Sequence, residues 1–95
     1  MDLKGRVGLV TGAATGIGRA TALALVKAGA SGVVVNYRTA EAPAREVEAE
    51  AARLGARAIT IRADVRDDGQ VRRMIDEAAG QFGRLDVLVN NAAVT

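Results

Sequence analysis

Val7-Gly8-Leu9-Val10-Thr11-Gly12-Ala13-Ala14-Thr15-Gly16-Ile17-Gly18-Arg19 changes its backbone character twice within a few residues. Val7, Leu9 and Val10 form the apolar run of a short buried strand. Gly12, Gly16 and Gly18 then remove side chains where the chain must turn sharply. From Ile17 the residues are good helix formers: Arg19, Ala20, Ala22, Leu23, Ala24 and Leu25. A strand that feeds a helix through glycines leaves free N–H groups at the helix N-terminus. The helix dipole adds positive potential there, so the natural guest is a phosphate. Such turns also occur with no ligand at all, so this loop alone leaves a purely structural reading open.

The spacing is Thr-Gly-x-x-x-Gly-x-Gly. It is not a P-loop, because Ile17 rather than glycine stands five residues after Gly12, and no Lys-Ser or Lys-Thr follows. Nor is it the usual G-x-G-x-x-G, because Thr21 falls where the third small residue belongs.

Beyond the loop, 95 residues allow one small domain or part of one. Tyr37 and Phe82 are the only aromatics, so the interior is built from Ala, Val, Leu and Ile. That suits helices packed closely on a parallel sheet. The net charge is +2, with eleven arginines interleaved among acids. This is a solvated surface rather than a nucleic-acid footprint, and nucleic acid is not an expected partner. Cysteine and histidine are absent, which excludes a disulfide framework and argues against a metal site. No signal peptide, lipidation motif or membrane-length apolar run appears, so a cytoplasmic protein without a membrane partner is expected.

Read in order, the first strand covers 6–11 and the first helix 17–28, with Gly29 placed as its C-terminal cap. Val33-Val34-Val35-Asn36-Tyr37 is the second strand. Its β-branched run calls for burial on both faces, as in a parallel sheet. A helix over 41–54 tolerates Pro43 in its first turn and turns Ala44, Val47, Ala51 and Leu54 to one side. The third strand is 58–61. Asp67 caps the third helix, with Gln70 completing a capping box. Val71, Met74, Ile75, Ala78 and Phe82 form that helix's apolar stripe, and Gly83 ends it. The fourth strand is 85–89. Alternation of this kind makes a parallel sheet with helices on its faces. A doubly wound sheet and part of a (β/α) barrel share the pattern, and the glycine loop favours the former.

The candidate functional residues all follow strands: Gly12, Gly16 and Gly18 the first, Tyr37 and Arg38 the second, Asp64 and Val65 the third, Asn90 and Asn91 the fourth. Ligands of open α/β sheets bind along that edge, where strand order reverses. Each residue also has a plain reading. Arg38 can be a solvated loop charge, Asp64 a turn residue, and Asn90-Asn91 loop punctuation. What distinguishes Arg38 is that no acid ends the second strand. An acid there would accept the ribose 2′-hydroxyl of NAD, whereas an arginine can pair with the 2′-phosphate of NADP.

Taken together, Thr11-Gly12-x-x-x-Gly16-x-Gly18, Asn36-Tyr37-Arg38, Asp64-Val65 and Leu88-Val89-Asn90-Asn91-Ala92 resemble the short-chain dehydrogenase/reductase family in order and spacing. The likeness is greatest to its 3-oxoacyl-carrier-protein reductase type. The resemblance covers essentially the whole chain. It implies a Rossmann-type doubly wound parallel sheet, here the N-terminal β-α-β-α-β-α-β portion, with residues 1–95 as the NAD(P)-binding half of a longer domain. It implies NADP(H) as the preferred cofactor and NAD(H) as a second one. The pyrophosphate falls on the glycine loop, here Gly12, Ala14, Thr15, Gly16, Ile17 and Gly18. Tyr37 and Arg38 then flank the ribose, and Asp64 and Val65 the adenine. Asn90, Asn91 and Ala92 brace the sheet beside the cofactor.

Two departures stand out. The family glycine after Asn-Asn-Ala is Ala93 here, and many NADP-preferring members carry a basic residue in the glycine loop where this chain has Thr15. The implied activity is hydride transfer between NADP(H) and a small carbonyl or alcohol, a 3-oxoacyl thioester among them, by a homo-oligomeric parent enzyme. The family's chemistry needs a serine and a Tyr-x-x-x-Lys pair. Tyr37 is followed four residues on by Glu41, and Ser31 lies in a connector, so no catalytic residue is assigned within 1–95. The chain alone is therefore expected to be inactive. The other reading is a short non-catalytic dinucleotide-binding module, or the product of a truncated gene.

Overall fold

The computed structural model describes residues 2–92. Its elements are β1 (Val7–Val10), α1 (Gly16–Lys27), β2 (Gly32–Tyr37), α2 (Glu41–Arg53), β3 (Arg57–Arg62), α3 (Asp68–Phe82) and β4 (Val87–Val89). The four strands form one parallel sheet in the order β3-β2-β1-β4. A barrel segment would keep sequential order. Here the chain winds outward from β1 in one direction and then returns to add β4 on the other side, which makes a doubly wound sheet.

Alternation along the strands divides the core between the two faces. Val10, Val33 and Val35 pack under α1 and α2 with Ala22, Leu25, Val26, Ala44, Val47 and Ala51. Leu9, Val34 and Ile61 pack under α3 with Met74 and Ala78. Both β1 and β2 are buried along their whole length, as two-sided coverage of a parallel sheet requires. Strand β4 is only partly covered, and Leu88 is 54% exposed.

Two expectations are corrected. Leu54 does not extend the buried stripe of α2; it is the helix C-cap and lies exposed, because the helix ends before the residue can turn inward. The capping box at α3 is half formed. Asp67 does accept from the Gly69 and Gln70 N–H groups (2.9 and 3.2 Å). The Asp67 N–H, however, already donates to the Asp64 carbonyl (3.0 Å). Gln70 therefore sends its Oε1 to the Asp64 N–H instead, at 2.8 Å.

Candidate functional site

The C-terminal ends of the four strands enclose a cleft of about 470 Å³. Gly12, Thr15, Arg38, Asp64, Val65, Asn91 and Ala92 line it, joined by Asn36, Ala63 and Arg66. Asn90 faces an adjoining, more apolar hollow of about 200 Å³ with Thr11, Leu88 and Met74. Ala14 and Gly18 are buried behind the loop, while Gly16 and Ile17 stand exposed at the start of α1. The Tyr37 ring belongs to the core on the α1–α2 face, so that residue meets the rim through its backbone, where its carbonyl accepts from the Ala63 N–H (3.0 Å). Ala93 lies outside the described residues.

The glycine loop shows why its spacing is what it is. A side chain at Gly18 would overlap the Gly12 carbonyl, so glycine lets α1 approach the loop closely. Gly16 adopts φ +57°, a left-handed conformation, and a Cβ there would meet nothing within 4 Å. Its outward side is therefore open space. The N-cap of α1, Thr15, makes no side-chain hydrogen bond to the first turn, and no acid stands in that turn. The N–H groups of the first turn thus have no side-chain acceptor from the cap, unlike those of α3, which Asp67 takes up.

The opposite wall hangs on one hydroxyl. Thr11 Oγ1 accepts the backbone N–H groups of Asn91 (2.8 Å) and Ala92 (3.0 Å), which leaves its proton for Asn90 Oδ1 at 3.2 Å. Asn91 Nδ2 in turn donates to the Gly12 carbonyl (3.3 Å). The segment after β4 and the turn after β1 are thereby fixed to one another across the reversal point of the sheet.

The floor is Asn36, which sequence reasoning included in a motif but did not place in the site. It is 2% exposed, and its Oδ1 accepts the Gly12 N–H at 3.1 Å. The only signal in the sequence is a lone amide ending an otherwise β-branched run.

The charges in the cleft are unequally engaged. Asp64 receives Arg66 Nη2 (2.8 Å), Nε (3.0 Å) and the Arg66 backbone N–H (3.0 Å). The Arg66 guanidinium, and then its backbone N–H, hold the Asp64 carboxyl well below the usual carboxylate range, outweighing a small upward push from desolvation. Arg66 is raised in return. Arg38 lines the cleft and has no ion-pair partner among the described residues; its carbonyl accepts Arg62 Nε at 3.2 Å, which steadies the backbone. Arg66, Ala63 and Asn36 were all missed in the sequence, the first because the i,i+2 fork to Asp64 exists only once the loop has turned.

Ser31 lies at the other end of the sheet, where its Oγ donates to the Arg6 carbonyl (3.3 Å). Among the described residues no group of His, Cys, Asp or Glu is arranged to hold a metal ion, and no helix is long and apolar enough to cross a membrane.

Comparison with known proteins gives a consistent picture. A family model described as short chain dehydrogenase matches residues 6–95. The hydroxynaphthalene reductase-like protein Arp2 of Metarhizium robertsii is 52% identical over 91 residues, covering 96% of this chain and 34% of the relative. A short chain dehydrogenase from Burkholderia cenocepacia J2315, solved in complex with NADP, superposes with a TM-score of 0.94 at 44% identity, over 99% of this chain and 38% of that one. The reductase LugOII, described as promiscuous and as catalysing keto-reduction at C1 during lugdunomycin biosynthesis, superposes with a TM-score of 0.86 at 42% identity, over 100% of this chain and 40% of its own. The chain thus spans about a third of the length of the curated relatives it matches.

Proposed function

Because the chain belongs to the short-chain dehydrogenase family, we propose that it is the dinucleotide-binding N-terminal half of an oxidoreductase that uses NADP(H). The observation that carries this reading is the contrast of guanidinium groups in the cleft. Arg66 is committed to Asp64, whereas Arg38 has no ion-pair partner among the described residues. A free arginine beyond the end of β2 is the group a ribose 2′-phosphate needs. The neighbour solved with NADP supports the same cofactor.

The residues present fit a dinucleotide. The open side of Gly16 and the N-terminus of α1 would hold the pyrophosphate, with Gly12, Ala14, Thr15, Ile17 and Gly18 shaping the loop. Asp64 and Val65 would border the adenine, and Tyr37 and Arg38 the ribose. Asn90, Asn91 and Ala92 would flank the far end, held there by Thr11. When bound, the nicotinamide supplies or accepts a hydride. The part of residues 1–95 is to bind and orient it, and the proton-transfer residues are proposed to lie outside this stretch. The substrate is proposed to be a small carbonyl or alcohol. The 3-oxoacyl thioester class suggested by the sequence stands beside the keto-reduction described for LugOII and the hydroxynaphthalene in the name of Arp2.

Calorimetric titration of the intact protein with NADP⁺ and NAD⁺ tests this reading. NADP⁺ should bind more tightly, and Arg38→Ala should remove about 1.5–3 kcal/mol of NADP⁺ affinity while leaving NAD⁺ nearly unchanged. An unchanged NADP⁺/NAD⁺ ratio in the variant makes Arg38 a surface charge and removes the basis for NADP preference.

A further inference from the structure

We infer that Asn36 is a positioning residue that sets the separation between the phosphate-binding and adenosine-binding ends of the cleft; this rests on the dinucleotide reading above. The amide joins three segments that are far apart in sequence. Its Oδ1 accepts the Gly12 N–H of the glycine loop (3.1 Å). Its Nδ2 donates to the carbonyls of Ile61 (3.3 Å) and Ala63 (3.2 Å), immediately before Asp64. Its own carbonyl accepts the Ala13 N–H at 2.9 Å, so a single residue holds two successive amides of the loop.

The pattern admits few substitutes. One end of the side chain must accept and the other must donate, and the partners fix which is which, since toward Asn36 Gly12 presents its N–H while Ile61 and Ala63 present their carbonyls. Aspartate keeps the acceptor but sets a second anionic oxygen against the Ile61 and Ala63 carbonyls. An apolar residue orphans the buried Gly12 N–H. The side chain is almost completely buried yet lies at the base of the cleft, so a change in its hydrogen bonding shifts both of the ends that a dinucleotide must span.

The test measures NAD⁺ and NADP⁺ dissociation constants of the intact wild-type protein, Asn36→Asp and Asn36→Ala, with circular dichroism at each pH to count folded molecules. The charged groups that line the cleft are Arg38 from the loop after β2 and Asp64 and Arg66 from the loop after β3; Asp67, at the cap of α3, is tied to Asp64 through its backbone N–H. The phenol of Tyr37 is in the core. At about pH 8, Asn36→Asp should weaken both dinucleotides by the same factor, roughly ten- to a hundredfold per folded molecule, leaving the NADP⁺/NAD⁺ ratio as in wild type. Burial against two carbonyls raises the pKa of the introduced carboxyl, so NAD⁺ affinity should recover toward wild type by about pH 5.5, where that carboxyl carries a proton to donate. Asn36→Ala should be weakened at every pH without recovery. Wild-type affinity in both folded variants, or weakening that only follows the unfolded fraction, overturns the positioning role and leaves the cofactor reading intact. If wild type itself binds neither dinucleotide, the cofactor reading falls, and this role with it.

Discussion

On the face that carries α1 and α2, Val10, Val33 and Val35 have no exposed surface; on the face that carries α3, Leu9 and Val34 are equally buried, yet Leu88, paired in register with Leu9, is 54% exposed. In-register parallel neighbours point to the same side, so Leu88 belongs to the α3 face. The helix covers β1, β2 and the end of β3 there but does not reach over β4. The first face is the better covered, with Val87 and Val89 of β4 half-buried on it, whereas the second leaves Leu88 open. The cleft lies where they meet. Its floor and glycine loop come from the better covered side, and the Asn90–Ala92 wall comes from the strand that is covered on one side only. Rigidity and openness are thus supplied by different halves of one small sheet.

The comparison breaks most visibly at Leu25, which is buried on the better covered face and packs against Gly8 of β1. Leu25→Ala should cost about 2–5 kcal/mol in urea unfolding of residues 1–95, because close-packed neighbours cannot fill the void. A value near zero would mean that this face is no better packed than the other.

At the seam, Gly16→Val should abolish dinucleotide binding by the intact protein while far-UV circular dichroism stays largely native. The substitution forces a β-branched residue to positive φ and fills the open side of the loop. Normal binding by this variant would make the loop a structural turn only.

The next effect is confined to acid. Asp86 ties the start of β4 to β1 by accepting the Val7 N–H (2.9 Å), and Arg84 grips both its oxygens at 2.8 Å. Arg84, and then that N–H, hold its carboxyl at about 2, below the ordinary carboxylate value. A depressed folded pKa stabilises above the unfolded pKa, and that stabilisation fades as pH falls toward the folded value. Asp86→Asn should therefore flatten the melting-temperature profile between about pH 4 and pH 2. An acid limb identical to wild type would show the pairing to be without consequence. Smallest of all, Leu88→Ser should change the stability of residues 1–95 by no more than about 0.5 kcal/mol. It should also sharpen their sedimentation boundary by removing an apolar edge. A larger loss would place a cover over β4 that the comparison denies.

Much of the fold was legible because local chemistry and tertiary demand agree. The β-branched run at Val33–Val35, the glycine stop at Gly83 and the Asp67 cap each specify their element without help from afar. The site was legible as a set of strand ends. The strand order that makes those ends converge came from the glycine loop and the family likeness, since alternation alone also fits a barrel. What stayed hidden depends on distant partners. Asn36 reads as a polar interruption until Gly12, Ile61 and Ala63 surround it. Leu54 fits the helical stripe until the helix stops one residue short of it. Gln70 fits a capping box until the loop turn claims the N–H it was to accept.

The strand order also dictates a sequence of events in time. Pairing Val7 with Gly32 closes a short stretch of chain, whereas pairing Gly8 with Val87 closes about three times as much. The longer closure costs about 1 kcal/mol more in chain entropy, and the strand it brings in is the shortest of the sheet. During synthesis, everything from β1 to β3 can assemble before β4 has left the ribosome. Amides of Val87–Val89 should accordingly exchange with solvent well before those of Val33–Val35, the order a hydrogen-exchange time course would read directly. Because Thr11 receives Asn91 and Ala92 only after β4 has docked, the ligand-ready cleft should form late in folding and open early, in step with that exchange order.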